Sequence, residues 1–105
     1  MGTLIYGPTA KEIRIDDRAL AHLQVVIIAK LRRGESFAFT WEKPAEDGSG
    51  HTTVWMHPRM AVEFAFLGSR RIPLNRAWVE DLMGTANTSS GLELVAEPTP
   101  PAPAR

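Results

Sequence analysis

One stretch limits the fold of this chain more than any other: the run from Asp16 to Gly34, punctuated at both ends and free of breakers between. It is long enough for about five helical turns. Asp16 and Asp17 are short acids that can accept the orphan amide hydrogens of a helix start and favour its positive dipole end. Lys30, Arg32 and Arg33 complement the opposite end, and Gly34 supplies a left-handed stop. At about 100° per residue, Ala19, Leu20, Leu23, Val26, Ile27 and Leu31 share one broad face. Ala21, Val25, Ile28 and Ala29 form a second apolar stripe on the other side. One sheet cannot cover both sides of a helix. The second stripe therefore needs another partner, and pairing across a two-fold axis is the commonest closed solution. A homodimer with Ala21, Val25, Ile28 and Ala29 at its face is the expectation.

The remaining segments are short. Thr3 to Tyr6 is β-prone and ends at the turn signal Gly7-Pro8, and Lys11 to Ile15 puts Ile13 and Ile15 on one face; together they read as a hairpin. Phe37, Phe39 and Trp41 alternate with polar or small residues, Pro44 to Gly50 reads as a polar turn, and His51 to His57 reads as the next strand, stopped by Pro58. Met60 to Leu67 follows, with Val62, Phe64 and Phe66 inward, so these three strands suggest an antiparallel meander. Gly68 to Pro73 is a basic loop. Asn75 can cap a second helix through Ala86, with Trp78, Val79, Leu82 and Met83 facing the core, and Leu92 to Val95 is a last strand. The predicted fold is α+β: two layers in ββαβββαβ order, an antiparallel sheet with an N-terminal hairpin and two helices packed on one face. Phe37, Phe39, Trp41, Phe64, Phe66 and Trp78 are its expected aromatic core. Residues 1–97 form a single domain, and 98–105, with four prolines in eight residues, read as a disordered tail.

Composition narrows the function. At 105 residues there is no room for a second folded unit, and 44% apolar with 23% charged residues is ordinary globular usage. Lys and Arg number 12 and Asp and Glu number 12, so no global field draws the protein to nucleic acid or anionic lipid. The absence of cysteine excludes disulfides, a Cys-based zinc site and a thiol nucleophile. The opening residues lack a basic lead and a long apolar stretch, and the longest apolar run, Val25 to Ala29, is far too short for a membrane span. No membrane association and a cytoplasmic location are expected.

No motif points to catalysis. His22, His51 and His57 have no ligand spacing among them, and Asp16-Asp17, Glu46-Asp47 and Glu80-Asp81 sit at a cap, a turn and a helix. No catalytic, cofactor-binding or metal-binding residue is predicted. Arg33-Gly34 before Phe37-Ala38-Phe39 resembles the aromatic strand of RRM domains, but Glu35 and Ser36 intervene and the rings fall on the face the core needs. Positive charge gathers at Lys30, Arg32 and Arg33, ending one helix, and at Arg70, Arg71 and Arg76 around the start of the next. If the fold joins them, they form a patch suited to phosphates, giving weak nucleic-acid binding.

Met1-Gly2-Thr3-Leu4-Ile5-Tyr6-Gly7, Asp17-Arg18-Ala19-Leu20-Ala21-His22-Leu23, Lys30-Leu31-Arg32-Arg33-Gly34-Glu35-Ser36-Phe37, Gly68-Ser69-Arg70 and Leu74-Asn75-Arg76-Ala77-Trp78 resemble a family of small actinobacterial proteins of unknown function. The resemblance covers nearly all of the chain before its Pro-rich end. Members of that family often carry the label "ATP-dependent DNA ligase". A ligase needs a lysine that takes up AMP, normally within K-x-D-G. Lys11, Lys30 and Lys43 are followed by Glu-Ile-Arg, Leu-Arg-Arg and Pro-Ala-Glu. The expected function is a non-enzymatic binding or accessory module that self-associates, with a nucleic-acid-associated protein as the alternative.

Overall fold

The computed structural model describes residues 1–42 and 50–99. The turn read at Pro44 to Gly50 lies almost wholly outside the described residues, as does most of the Pro-rich tail. In chain order the elements are β1 (Gly2–Tyr6), β2 (Lys11–Ile15), α1 (Asp17–Arg32), β3 (Phe37–Glu42), β4 (His51–Met56), β5 (Val62–Ala65), α2 (Arg76–Ala86) and β6 (Leu92–Glu93). The fold is α+β, and the ββαβββαβ order is the one the sequence predicts.

Local signals act where they stand. Asp16 caps α1: its carboxylate accepts from the amides of Arg18 at 3.1 Å and Ala19 at 3.3 Å. At the other end Gly34 has φ +75, its amide donates to the Leu31 carbonyl, and the Glu35 amide donates to that of Lys30. This is the paired-bond stop that a left-handed glycine makes possible. Asn75 caps α2 by accepting from the Ala77 amide at 3.1 Å.

The strands pair differently from a single antiparallel sheet. One sheet has the order β2-β1-β5 and the other β4-β3-β6. The hairpin β1–β2 forms as its turn dictates, but β5 leaves β4 and lies antiparallel to β1, with Phe64 opposite Leu4. The turn after β4, closed by the Met60 amide on the His57 carbonyl, directs the chain there. β6 lies parallel to β3, with Leu92 beside Phe39. Parallel neighbours need a long crossover, and here it includes α2, which packs on β3 and β6. The approach is close: Gly91 has φ +88, and a Cβ there would stand 2.5 Å from the Ala38 carbonyl oxygen. The Tyr6 hydroxyl joins the sheets by donating to the Trp55 carbonyl.

Leu4, Leu20, Leu23, Val26, Ile27, Phe39, Met56, Leu82 and Leu92 are fully buried at the centre. Of the expected aromatic core, Phe37, Phe39 and Trp78 are buried, whereas Trp41, Phe64 and Phe66 are half-buried and pack on its margin. The second sheet explains the difference. Phe64 lies in the edge strand β5 and Phe66 just beyond its end, and Trp41 stacks on Phe39 with centroids 5.5 Å apart. Phe39→Ala should therefore cost about 3–5 kcal/mol, and Phe64→Ala roughly 1–2 kcal/mol, in denaturant unfolding.

Candidate functional site

The segment from Phe66 to Asn75 crosses the first half of α1 as a strap, and three α1 side chains hold it. Asp17 accepts from the amides of Leu67 and Gly68, both at 3.2 Å. Arg18 donates to the Pro73 carbonyl at 3.1 Å. His22, fully buried, accepts through Nε2 from the Asn75 amide at 2.7 Å. An amide can only donate, so Nδ1 carries the imidazole hydrogen and donates to the Arg18 carbonyl at 2.7 Å. The His22 ring lies 4.5 Å from that of Trp78, centroid to centroid, against α2.

A second segment closes over the same residues. The Trp78 indole donates to the Val95 carbonyl at 2.9 Å. The Asn75 side-chain amide donates to Glu97 at 2.9 Å and to the Pro98 carbonyl at 3.0 Å. Arg18 grips Glu97 through Nε at 2.8 Å and a terminal nitrogen at 2.6 Å. The Arg18 fork, and then Asn75, lower the Glu97 carboxyl from its ordinary 4.5 to about 2.

Between its tethers the strap stands away from α1, leaving a groove of about 410 Å³. Ala21, Gln24 and Val25 form the helix wall; Phe66, Ile72 and Leu74 line the other, with Arg70 and Arg71 among them. Ala21 is buried, yet Val25 is 37% and Leu74 53% exposed. Ile28, 39% exposed, continues the apolar stripe beyond the groove, and Ala29 flanks it half-buried. Half of the expected dimer face is thus covered from within, and Val25 and Ile28 stay open.

The six basic residues of the predicted patch sit in different settings. Lys30 is buried, with its ammonium on Glu35 at 2.8 Å and Asn87 at 2.8 Å; it ties α1 to the end of α2 and is not offered to a phosphate. Arg33 also pairs with Glu35, at 3.2 Å. The Lys30 bond and then the charge of Arg33 hold the Glu35 carboxyl below its usual value. Arg32 and Arg33 end α1 about 15 Å of helix beyond His22, on the 1.5 Å rise per residue. Arg76 begins α2. Arg70 and Arg71 stand together in the strap, both exposed, and among the described residues neither has a carboxylate within 4.0 Å.

A family model described as "Domain of unknown function (DUF7882)" matches residues 1–97. The chain belongs to that family. Neither the curated proteins nor the solved structures give a match. In this DUF7882 chain the groove and its tethers all fall within the matched residues.

Two other features are visible. Another concavity, of about 620 Å³, is lined by Arg14, Asp16, Trp41, Glu42, His51 and Glu93, among others. Among the described residues, no three His, Asp or Glu side chains are grouped to hold a metal ion, and no helix is long and apolar enough to cross a membrane. Trp55, 61% exposed, lies on the outer face of β4 beside Ala38.

Residue reading missed His22 and Lys30 as buried anchors. The signal was present: His22, Val26 and Lys30 are spaced four apart and so share the face that meets α2.

The Glu97 link carries a sign. Its folded pKa is depressed, so its contribution is complete above the unfolded value near 4.5 and is lost as pH falls to about 2. Glu97→Gln should lower the melting temperature at neutral pH, and the two melting curves should converge by about pH 2.

Proposed function

We propose that this DUF7882 chain is a non-enzymatic, cytoplasmic binding and accessory module that self-associates through the outer face of α1. The observation that carries this reading is the exposed apolar stripe of Val25 and Ile28, continuous with the groove beside the strap. Side chains of this kind are wet at a cost of roughly 25 cal/mol per Å² of apolar surface, which association recovers. A two-fold axis through the stripe sets Val25 of one copy near Ile28 of the other, with Ala29 small enough to let the helices approach.

The ligase label of the resembling proteins does not enter this reading. Adenylation needs a desolvated lysine held open to a nucleotide. The buried amine of Lys30 is already bonded to Glu35 and Asn87, and Lys11 is exposed on a strand.

Val25→Glu and Ile28→Lys should each shift the protein from dimer to monomer in light scattering while leaving circular dichroism unchanged. A parent of monomer mass across micromolar concentrations overturns self-association.

A second reading, nucleic-acid association, draws on Arg70 and Arg71, exposed and without a carboxylate neighbour among the described residues. Two arginines neutralise few phosphates, so binding should be micromolar or weaker and fall steeply with salt. Fluorescence anisotropy with a labelled oligonucleotide measures it, and Arg70→Ala with Arg71→Ala should abolish it.

A further inference from the structure

The groove beside α1 has a chemistry that self-association leaves unused. We propose that it docks an acidic, apolar segment of a different polypeptide, with Val25, Ile72 and Leu74 taking its apolar side chains and Arg70 and Arg71 its carboxylates. This rests on the binding-module reading above; Val25 belongs both to the groove and to the self-association face, so the peptide and a second copy compete for it.

The groove is built by the fold. Asp17 fixes one end of the strap, and Arg18 and His22 fix the other, each by hydrogen bonds to strap backbone. Residues 69–72 are spanned between these points and stand off the helix. The gap stays open: Val25 and Leu74 face it more than one-third exposed, and Ile72 is half-buried. Its volume of about 410 Å³ lies in the range of sites that hold a ligand.

Charge selects the occupant. Arg18 is paired with Glu97, and Lys30 and Arg33 with Glu35, whereas Lys11, Arg14, Arg32, Arg59, Arg70, Arg71 and Arg76 have no carboxylate within 4.0 Å among the described residues. Of these only Arg70 and Arg71 line the groove, whose described lining holds no Asp or Glu, on a protein of zero net charge. A guanidinium offers a planar fork that fits a carboxylate with two hydrogen bonds, most effectively beside an apolar wall that excludes water.

Two other occupants fit less well. A second copy related by a two-fold axis through Val25 and Ile28 brings Arg32 of that copy, four residues past Ile28 on the same stripe, toward the groove mouth. That adds a third cation where an anion is wanted. A nucleic acid would meet two cations and leave the apolar floor wet, whereas nucleic-acid interfaces are strongly positive and polar. An acidic apolar peptide satisfies both the floor and the rim.

The test is a phage library of short random-sequence peptides panned against the full chain. Enriched peptides should combine Asp or Glu with Leu, Ile, Phe or Trp. Fluorescein-labelled copies should bind the parent about tenfold or more tightly than they bind the Arg70→Ala, Arg71→Ala variant, which keeps the parent's melting temperature. Leu74→Ser should weaken the same peptides, and oligothymidylate should not displace them. No enrichment, enrichment of basic or uncharged peptides, or acidic peptides binding the double variant equally well each overturns the proposal. Displacement by oligothymidylate at comparable concentration also overturns it, in favour of nucleic acid. The light scattering of the parent, Val25→Glu and Ile28→Lys is read without peptide, so self-association stands or falls separately.

Discussion

The amide of Asn75 donates into the buried imidazole of His22, and four parts of the molecule meet around that bond. A buried amide must find an acceptor, because leaving it unpaired costs about 1–3 kcal/mol. Here the acceptor comes from a helix rather than from a neighbouring strand. Asn75 also caps α2 and reaches Glu97, while the His22 ring packs on Trp78. The position of α2, the course of the strap and the seat of the C-terminal segment are thereby coupled. The groove lies between those pins, where the strap runs from Ser69 to Ile72.

The legible parts of this fold were those whose causes are local. Asp16, Gly34 and Asn75 end or begin helices through bonds to residues within a few positions, and a reader of the chain can place them. Alternation at Phe37, Phe39 and Trp41 likewise gives a strand and its inward face. What alternation cannot give is the neighbour. Nothing within β5 says that Phe64 will lie across from Leu4 rather than beside β4, because that choice belongs to the turn at His57–Met60 and to the open edge of β1. The parallel pairing of β6 depends on where α2 delivers the chain, which is again a long-range matter.

The candidate site was half legible for the same reason. Arg70 and Arg71 line the groove beside Val25, whereas Arg32 and Arg33 end the helix about 10 Å or more further along an axis that periodicity can describe but not orient. Lys30 shows how charge can be misread from composition. Near a helix end a lysine is ordinarily a solvated complement to the dipole, yet this one is enclosed by Glu35 and Asn87. Asp17 took on a second task. With Asp16 already capping the helix, its carboxylate was free to hold Leu67 and Gly68, fifty residues away.

The bidentate grip of Arg18 on Glu97 joins positions 79 residues apart, and Leu92 completes the core beside Phe39. Contacts of such long sequence separation carry a larger loop-closure cost, and they cannot form until both ends of the loop have been synthesised. A chain emerging from the ribosome would have α1 and the hairpin early, but no acceptor for the Arg18 fork and no partner on the open side of β3. Its last segment is therefore what converts a set of preformed elements into a finished core. Until that segment arrives, Trp78 and Phe39 have less cover than they need, and the unfinished domain is at its most vulnerable to aggregation and to chaperone capture.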